Sequence, residues 1–299
     1  MIHKPVLLNE VLEVLNPQPG QLFIDGTANG GGHTLAILER IKPNGKILAI
    51  DKDRDLVDRL QATSYKLQAN EIVPVCGSYG DIKKIADDHG FYQVSGILLD
   101  LGYSSHHLER SGRGFSFQKD EPLIMRYETE SDLGTGLTAK DAVNQFSESD
   151  LADIFYRYGE ERFSRRIAKA IYLARKKRKI ETTKELADIV ASAYPKRFFY
   201  KIHPATKVFQ ALRVFVNNEL SELENTLPQA LEILASDGRI AVISFHSLED
   251  RIVKNFFKAE KEKGIINIIT KKPIITSAEE AKANPRARSA KMRVAEKSS

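Results

Sequence analysis

The chain contains little sulfur and no tryptophan: its 299 residues include one cysteine, Cys76, and three methionines. A single cysteine excludes an intrachain disulfide and a cysteine-rich metal site, and it indicates a reducing compartment. Long apolar runs are missing too. The apolar stretch near the N-terminus is too short for a signal peptide, and no later run has the length of a membrane span. We therefore expect a cytoplasmic protein that does not act at a membrane.

The remaining composition is that of a soluble globular protein, with 42% hydrophobic and 28% charged residues. The formal net charge is +5, which favours a polyanionic partner only where the cations cluster. One segment holds such a cluster: Arg162, Arg165, Arg166, Lys169, Arg175, Lys176, Lys177, Arg178 and Lys179. Residues 196–201 (KRFFYK) add aromatic rings that can stack on unpaired bases. This pattern indicates nucleic-acid binding, with a solvated helix face as the alternative.

A glycine-rich segment, residues 25–34 (DGTANGGGHT), follows a short apolar run and predicts a strand, a turn and a helix start. Glycines allow positive φ and the close approach of a ligand, which the first N–H groups of the helix then face. The next predicted strand ends at Asp51, about twenty residues further on, where nucleotide-binding folds place the acid that binds a ribose diol. A tight turn without a ligand is the alternative, because the segment does not match G-x-G-x-x-G.

Strand-like runs alternate with helical patterns, which predicts an α/β fold with a largely parallel sheet. Seven strands are expected, at residues 21–25, 46–51, 72–75, 96–100, 239–245, 265–269 and 292–295. After the fourth strand the alternation stops. We therefore expect a discontinuous cofactor-binding domain, residues 1–105 and 210–299. It is interrupted by a mainly helical insertion, residues 106–209, to which we assign RNA recognition.

Two neighbouring strands at the C-terminus favour a Rossmann-like class I methyltransferase sheet. A nicotinamide-dependent dehydrogenase, whose second half repeats the nucleotide-binding unit, is the weakest alternative. The predicted strand ends carry Asp25, Asp51, Tyr79 and Asp100 at the edge where such sheets bind ligands. S-adenosylmethionine fits that edge, with Asp51 on the ribose, the glycine turn beneath the methionine portion and Tyr79 against the adenine.

Several further segments carry a family resemblance: residues 3–8 (HKPVLL), 25–34, 99–105 (LDLGYSS), 113–117 (RGFSF), 158–162 (YGEER), 203–206 (HPAT), 209–213 (FQALR), 243–251 (ISFHSLEDR) and 284–290 (NPRARSA). The chain resembles the ribosomal small subunit methyltransferase H family nearly from end to end. The resemblance implies S-adenosylmethionine-dependent methylation of cytosine N4 in the decoding region of 16S rRNA. It also implies cofactor contacts at Gly31, Gly32, His33, Asp51, Tyr79, Asp100 and His107.

Several positions depart from the family pattern, among them Asn29, the pair His106-His107 in place of Pro-Gln, and Glu121 and Ile124 in place of Gly and Asp. Asn29 replaces a glycine, a tolerable change because Asn adopts the left-handed conformation readily. His107 replaces a glutamine, so an imidazole must make the contact expected there. Ile124 replaces an aspartate, which removes a carboxylate that could position RNA or the base. These departures keep a non-catalytic RNA-binding protein with the methyltransferase fold as an alternative.

Cytosine N4 is a poor nucleophile because its lone pair is delocalised into the ring. Asp100, at the end of a central strand, is our candidate for the catalytic acceptor of the hydrogen bond or proton of N4. Cofactor contact alone and a purely structural cap are the alternatives. His246 either binds the base or bonds the loop backbone, and Ser247 is the expected cap of the helix that follows. We expect no catalytic metal, because no cluster has metal-ligand spacing. The assembly state of the subunit substrate and a homodimer stay open.

Overall fold

The computed structural model describes residues 5–128, 136–195 and 203–299. The chain divides into two compact units, residues 1–104 with 220–299, and residues 105–219. The expected boundary between residues 209 and 210 falls inside a helix of the second unit, Ala205–Val216. Among the residues described, none of the helices has both the length and the apolar character needed to cross a membrane.

The described part of the first unit contains one eight-stranded sheet. Its strands are β1 (Leu22–Asp25), β2 (Lys46–Asp51), β3 (Ile72–Cys76), β4 (Val94–Asp100), β5 (Leu234–Ser244), β6 (Ile266–Ile268), β7 (Ile274–Ile275) and β8 (Lys291–Lys297). The order is β3-β2-β1-β4-β5-β8-β6, and β7 pairs with β8 beside that path. β1 to β5 are parallel, whereas β8 is antiparallel to its three neighbours. This topology confirms the predicted class I methyltransferase fold and adds one two-residue strand, β7, to the seven expected.

The helices in chain order are α1 (Leu8–Leu15), α2 (Gly32–Ile41), α3 (Arg54–Lys66), α4 (Ile82–Asp88), α5 (Ser105–Glu109), α6 (Ala139–Gln145), α7 (Glu148–Gly159), α8 (Ser164–Arg175), α9 (Thr183–Ala193), α10 (Ala205–Val216), α11 (Glu219–Ile233), α12 (Ser247–Glu262) and α13 (Ala278–Ala283). The central strands β1 and β2 bury both of their faces. Ile24 and Leu48 pack in one apolar cluster, and their chain neighbours Phe23 and Ile47 pack in another. Burial on both sides explains why these strands appear in the sequence as continuous apolar runs.

β5 begins at Leu234, earlier than the predicted start at residue 239. Leu234 pairs with Val94 and Arg239 pairs with Gly96, so residues 235–238 bulge out of the ladder. Asp237 in this bulge has a φ of +60°. The Asp-Gly pair indicates a turn in the sequence, and the fold uses it as an irregularity within a strand.

The second unit is helical and has its own core, in which Phe155, Ile167 and Leu212 are buried. Thr138, Ser147 and Thr182 begin α6, α7 and α9 with capping boxes, each closed by an acidic residue three positions later. These caps satisfy backbone N–H groups that a helix start would otherwise leave without partners. The local sequence therefore determines where these three helices begin.

Candidate active site

The predicted glycine turn connects β1 to α2. Asn29 and Gly31 have φ values of +48° and +89°, in the left-handed region that Gly and Asn tolerate best. Gly31 also has no room for a side chain, since a Cβ there would lie 2.6 Å from Leu60 Cδ1. A Cβ on Gly32 would lie 3.1 Å from Pro5 Cδ. Protein packing thus accounts for both glycines, and their cofactor contacts stay predictions.

Three aspartates end neighbouring strands: Asp25 ends β1, Asp51 ends β2 and Asp100 ends β4. Because the carboxyl ends of parallel strands meet at one edge of a sheet, Asp25 lies close enough to Asp51 and Asp100 to raise the pKa of both. All three residues are buried, with exposed fractions of 1%, 9% and 3%. We call these three residues the acid edge.

Asp51 and Asp25 of the acid edge accept hydrogen bonds from different kinds of donor. Asp51 accepts from the backbone nitrogens of Asn29 at 2.8 Å and Asp53 at 2.9 Å, yet burial raises its pKa from 3.8 to about 7. Asp25 accepts a 2.6 Å hydrogen bond from Thr34 Oγ1, and burial raises its pKa to about 6. Asp25 therefore ties β1 to α2. Asp51 keeps lone pairs that can accept ligand hydroxyls.

Asp100 is distinguished by one carboxylate oxygen. Its Oδ1 is buried and has no hydrogen-bond partner among the described residues, while Oδ2 lies 3.6 Å from His33 Nδ1. The Asp100 backbone is held on both sides: its N–H donates to Thr27 Oγ1 at 2.6 Å, and its carbonyl accepts from Asn29 Nδ2 at 3.2 Å. Burial, and then two nearby carboxylates, raise the pKa of Asp100 well above 3.8. A buried acid with a raised pKa and an unused acceptor is typical of a functional group.

His33 links the N-terminal segment to Asp100. Its Nε2 lies 3.0 Å from the Val6 carbonyl oxygen, which can only accept, so Nε2 carries a proton. In the neutral ring Nδ1 then has a lone pair, and Nδ1 is the atom that faces the Asp100 carboxylate. A proton on either His33 or Asp100 makes this contact attractive.

Tyr79 begins a 3₁₀ turn after β3, where Ser78 accepts from Gly80 N at 2.9 Å. Its Cβ lies 3.6 Å from the point where a Cβ on Gly26 would be, so Tyr79 borders the start of the glycine turn. The fold thus brings six of the seven predicted cofactor residues to one edge of the first unit: Gly31, Gly32, His33, Asp51, Tyr79 and Asp100.

The seventh predicted residue, His107, belongs to the second unit. It is 2% exposed and lies in an aromatic cluster, with ring centroids 5.1 Å from Phe115 and 5.0 Å from Tyr127. Phe115 and Tyr127 also stack on each other at 5.3 Å. The second unit by itself therefore uses His107 as a packing residue, and its cofactor contact stays a prediction.

Sequence reasoning misses Glu249 and misplaces a helix cap. Glu249 accepts from Phe245 N at 2.8 Å, and its charge contributes to the raised pKa of Asp100. His246, not Ser247, is the N-cap of α12, and its Nδ1 accepts from Glu249 N at 3.4 Å. This is the backbone-bonding alternative considered for His246. The sequence pattern that could have identified this cap is H-x-x-E at residues 246–249, which is equivalent to the usual S/T-x-x-E capping box.

The acid edge offers a site for a cation. Lys52, the cation next to Asp51 in sequence, bonds Glu222 Oε1 at 2.5 Å. Three buried carboxyl groups with raised pKa values favour any ligand that brings positive charge, because such a ligand lowers the cost of ionising them. The chemistry of the edge therefore fits a cationic ligand that also carries hydroxyls.

Comparison with known proteins identifies the family to which this fold and this acid edge belong. The model of the MraW methylase family matches residues 1–298. The chain belongs to the MraW methylase family. Since the match covers both units of this MraW methylase, the helical insertion is a part of the family's structure.

Relatives of this MraW methylase align along almost the whole chain. A protein of Sulfurihydrogenibium azorense is 49% identical over 294 residues, covering 98% of each chain. One of Deinococcus deserti is 46% identical over 297 residues, covering 99% of this chain and 94% of its own. Both are named ribosomal RNA small subunit methyltransferase H. Among solved structures, TrmN from Thermus thermophilus has a TM-score of 0.46 at 10% identity, over 97% of this chain and 48% of that one.

Proposed function

We propose that this chain transfers a methyl group from S-adenosylmethionine to the exocyclic N4 amine of a cytidine in 16S rRNA. Its family and its full-length relatives, named ribosomal RNA small subunit methyltransferase H, support a small-subunit rRNA substrate. The observation that carries the chemistry is the buried, unpartnered Oδ1 of Asp100 at the acid edge. The choice of cytosine N4 rests on the sequence resemblance together with this acceptor.

The residues at the edge fit S-adenosylmethionine, which supplies an electrophilic methyl group on a sulfonium. When the cofactor binds, Asp51 would accept hydrogen bonds from the ribose hydroxyls and Tyr79 would contact the adenine. The turn at Gly31 and Gly32 would hold the methionine portion beside the start of α2. The positive charge of the cofactor offsets the mutual repulsion of the acid edge, so its binding favours the ionised carboxylates.

Asp100 acts on the target amine. Its Oδ1 accepts a hydrogen bond from N4–H, which orients the nitrogen towards the methyl group and increases the electron density on it. The raised pKa of Asp100 brings the carboxylate closer to the range in which it accepts a proton at neutral pH. His33 Nδ1 lies 3.6 Å from Oδ2, so the two oxygens of Asp100 face different groups.

The second unit supplies the RNA surface. Eight of its nine clustered cations are exposed: Arg162, Arg165, Arg166, Lys169, Lys176, Lys177, Arg178 and Lys179. The ninth, Arg175, donates to the carbonyls of Val143, at 2.8 Å, and Phe146, so it stabilises the end of α6 instead. The exposed cations support binding to rRNA phosphates. The aromatic segment at residues 196–201 lies outside the described residues.

The partner is the small ribosomal subunit or its 16S rRNA, and the protein works in the cytoplasm with that partner. A homodimer stays open. A non-catalytic RNA-binding role is not favoured, because the acid edge holds the acceptors that methyl transfer needs. Ile124, one departure from the family pattern, lies in the second unit, where its carbonyl accepts from Ala139 N at the start of α6.

The test combines tritiated S-adenosylmethionine with small subunits that lack the modification. We expect label on cytosine N4, and Asp100→Asn should lower kcat, measured at saturating cofactor, by about 10²- to 10⁴-fold. Asp58→Asn, at an exposed position of α3, is the matched control. Label on another atom would overturn the assignment of N4. An Asp100→Asn enzyme with the normal rate would remove Asp100 from the chemistry.

A further inference from the structure

A cavity of about 490 Å³ opens beside the carboxyl end of β5, apart from the acid edge. Phe245 and Ser247 line it from the β5–α12 connection, Thr276 and Ser277 from the segment before α13, and Arg288 and Lys291 from the segment that leads into β8. Its volume is in the range of small-ligand sites. All of these residues belong to the first unit.

The cavity has the opposite charge to the acid edge. None of the described residues that line it is a carboxylate. Arg288 is exposed and has no carboxylate within 4.0 Å among the residues described. Lys291 lies 3.5 Å from Asp250, but Asp250 already holds Arg293 at 2.7 Å. Two cations therefore share one carboxylate, and with Arg288 they leave a positive surface.

The rest of the lining suits a nucleotide. Phe245 is a half-buried aromatic ring, and Ile275 at the rim is 65% exposed. Together they offer an apolar face for a base. The hydroxyls of Thr276 and Ser277 hold the wall in place: Thr276 donates to the Ala287 carbonyl at 2.9 Å, and Ser277 accepts from Glu280 N at 3.0 Å. The cavity therefore has a defined shape as well as charge.

The cavity adjoins the strand that ends in Asp100. Ile243 of β5 is the register partner of Asp100 in β4, and Phe245 follows two residues later. Two strand residues span about 7 Å. Phe245 Cδ2 also lies 3.5 Å from the point where a Cβ on Gly102 would be, just after Asp100. A chain bound at Asp100 can therefore continue into the cavity with its neighbouring nucleotide.

We propose that this cavity binds the nucleotide adjacent to the target cytidine, with Arg288 on the phosphodiester and Phe245 on the base. This rests on the proposed rRNA substrate. The cavity then binds an anionic ligand, the RNA, and the acid edge binds a cationic one, the cofactor. The anionic RNA enters on the β5 side, whereas the residues that would hold the cationic cofactor lie at the ends of β1 and β2.

The experiment compares Arg288→Ala with the wild type in steady-state methylation of small subunits at several salt concentrations. We expect KM for the subunit to rise about tenfold at nearly constant kcat, and the salt dependence of binding to weaken by about one phosphate contact. The affinity for S-adenosylmethionine, measured by equilibrium dialysis, should not change. Arg40→Ala is the matched control, since Arg40 is exposed at the end of α2 that lies away from the glycine turn.

An unchanged KM and salt slope in Arg288→Ala would overturn the proposal. So would an equal loss of cofactor affinity, which would assign the cavity to the cofactor. A second readout separates this proposal from the proposed function. Fluorescence anisotropy with a labelled 16S rRNA fragment of the decoding region measures binding without methyl transfer. If Arg288→Glu binds the RNA fragment more weakly than Arg40→Glu does, the proposed nucleotide site is supported even where no methylation occurs. If the two variants bind the fragment with the same affinity, the proposal is overturned.

Discussion

Cofactor affinity should depend on pH through Asp51. Burial raises the pKa of this carboxyl to about 7. The ionised form accepts hydrogen bonds on both oxygens and attracts a cation, whereas the protonated form loses one acceptor and the charge. We predict that S-adenosylmethionine binds more tightly as the pH rises from 5.5 to 7.5. Asp51→Asn should remove most of this rise and leave the part due to Asp25, whose pKa is about 6.

The magnitude follows from the titration. With a pKa of about 7, roughly 3% of Asp51 is ionised at pH 5.5 and roughly 76% at pH 7.5. If only the ionised form binds, affinity rises about 25-fold, or about 2 kcal/mol. Equilibrium dialysis with tritiated cofactor measures this directly. The cofactor's own amino group, with a pKa of about 7.7–8.0, is still mostly protonated at pH 7.5, and its effect is common to the wild type and Asp51→Asn. Asp58→Asn, at an exposed position of α3, should keep the wild-type profile.

A flat wild-type profile would refute the reasoning, and so would an Asp51→Asn variant that keeps the slope. The same burial predicts the opposite effect on stability without cofactor. Because the folded pKa is raised above 3.8, the contribution of Asp51 to stability is full below pH 3.8 and is lost as the pH rises through about 7. Removing this charge in Asp51→Asn should stabilise the cofactor-free protein at pH 8 by up to about 4 kcal/mol, less about 1–3 kcal/mol for the backbone N–H that the amide leaves without an acceptor. Thermal unfolding at pH 8 with an unchanged midpoint would contradict this.

Two further predictions concern packing in each unit. A Cβ on Gly96 would lie 2.2 Å from Phe23 Cε1 in the sheet. Gly96→Ala should therefore lower the free energy of unfolding, measured by urea denaturation, by about 1–3 kcal/mol or more. A loss below about 0.5 kcal/mol would contradict this overpacking. In the second unit, buried Arg213 donates to Glu219 at 2.9 Å, so Arg213→Ala should cost about 3–5 kcal/mol by leaving a buried charge. Adding Glu219→Gln should recover part of that loss in the same assay, since it removes the unpaired charge.

Local patterns explain which parts of the fold the sequence predicts well. β2 runs from Lys46 to Asp51 as expected, because a strand buried on both faces is a continuous apolar run. The glycine turn is equally local, since positive φ at Asn29 and Gly31 favours Asn and Gly whatever lies around them. β5 was predicted too short, because its Asp-Gly pair has the local chemistry of a turn and only pairing with β4 makes it a bulge.

Long-range packing decides the properties of the candidate site. Glu249 affects Asp100 only because α12 begins beside the end of β4, and His246 caps that helix because Glu249 can close the box. Arg175 belongs to a basic run in the sequence, but its guanidinium donates hydrogen bonds to backbone carbonyls at the end of the neighbouring helix α6. The reach of a side chain towards a partner depends on the folded backbone, which no local pattern specifies.

The sequence by itself determined the family, the succession of seven strands along the chain and the acids that end them, because these depend on residue type and spacing. Only the tertiary structure decided that Asp100 lies buried beside His33 with one unpartnered oxygen, and that Arg288 faces a cavity without carboxylates. The physical reason is that burial, pKa and unpaired charge are sums over everything packed around a group. Residues distant along the chain contribute to those sums only after the sheet has brought the strand ends together.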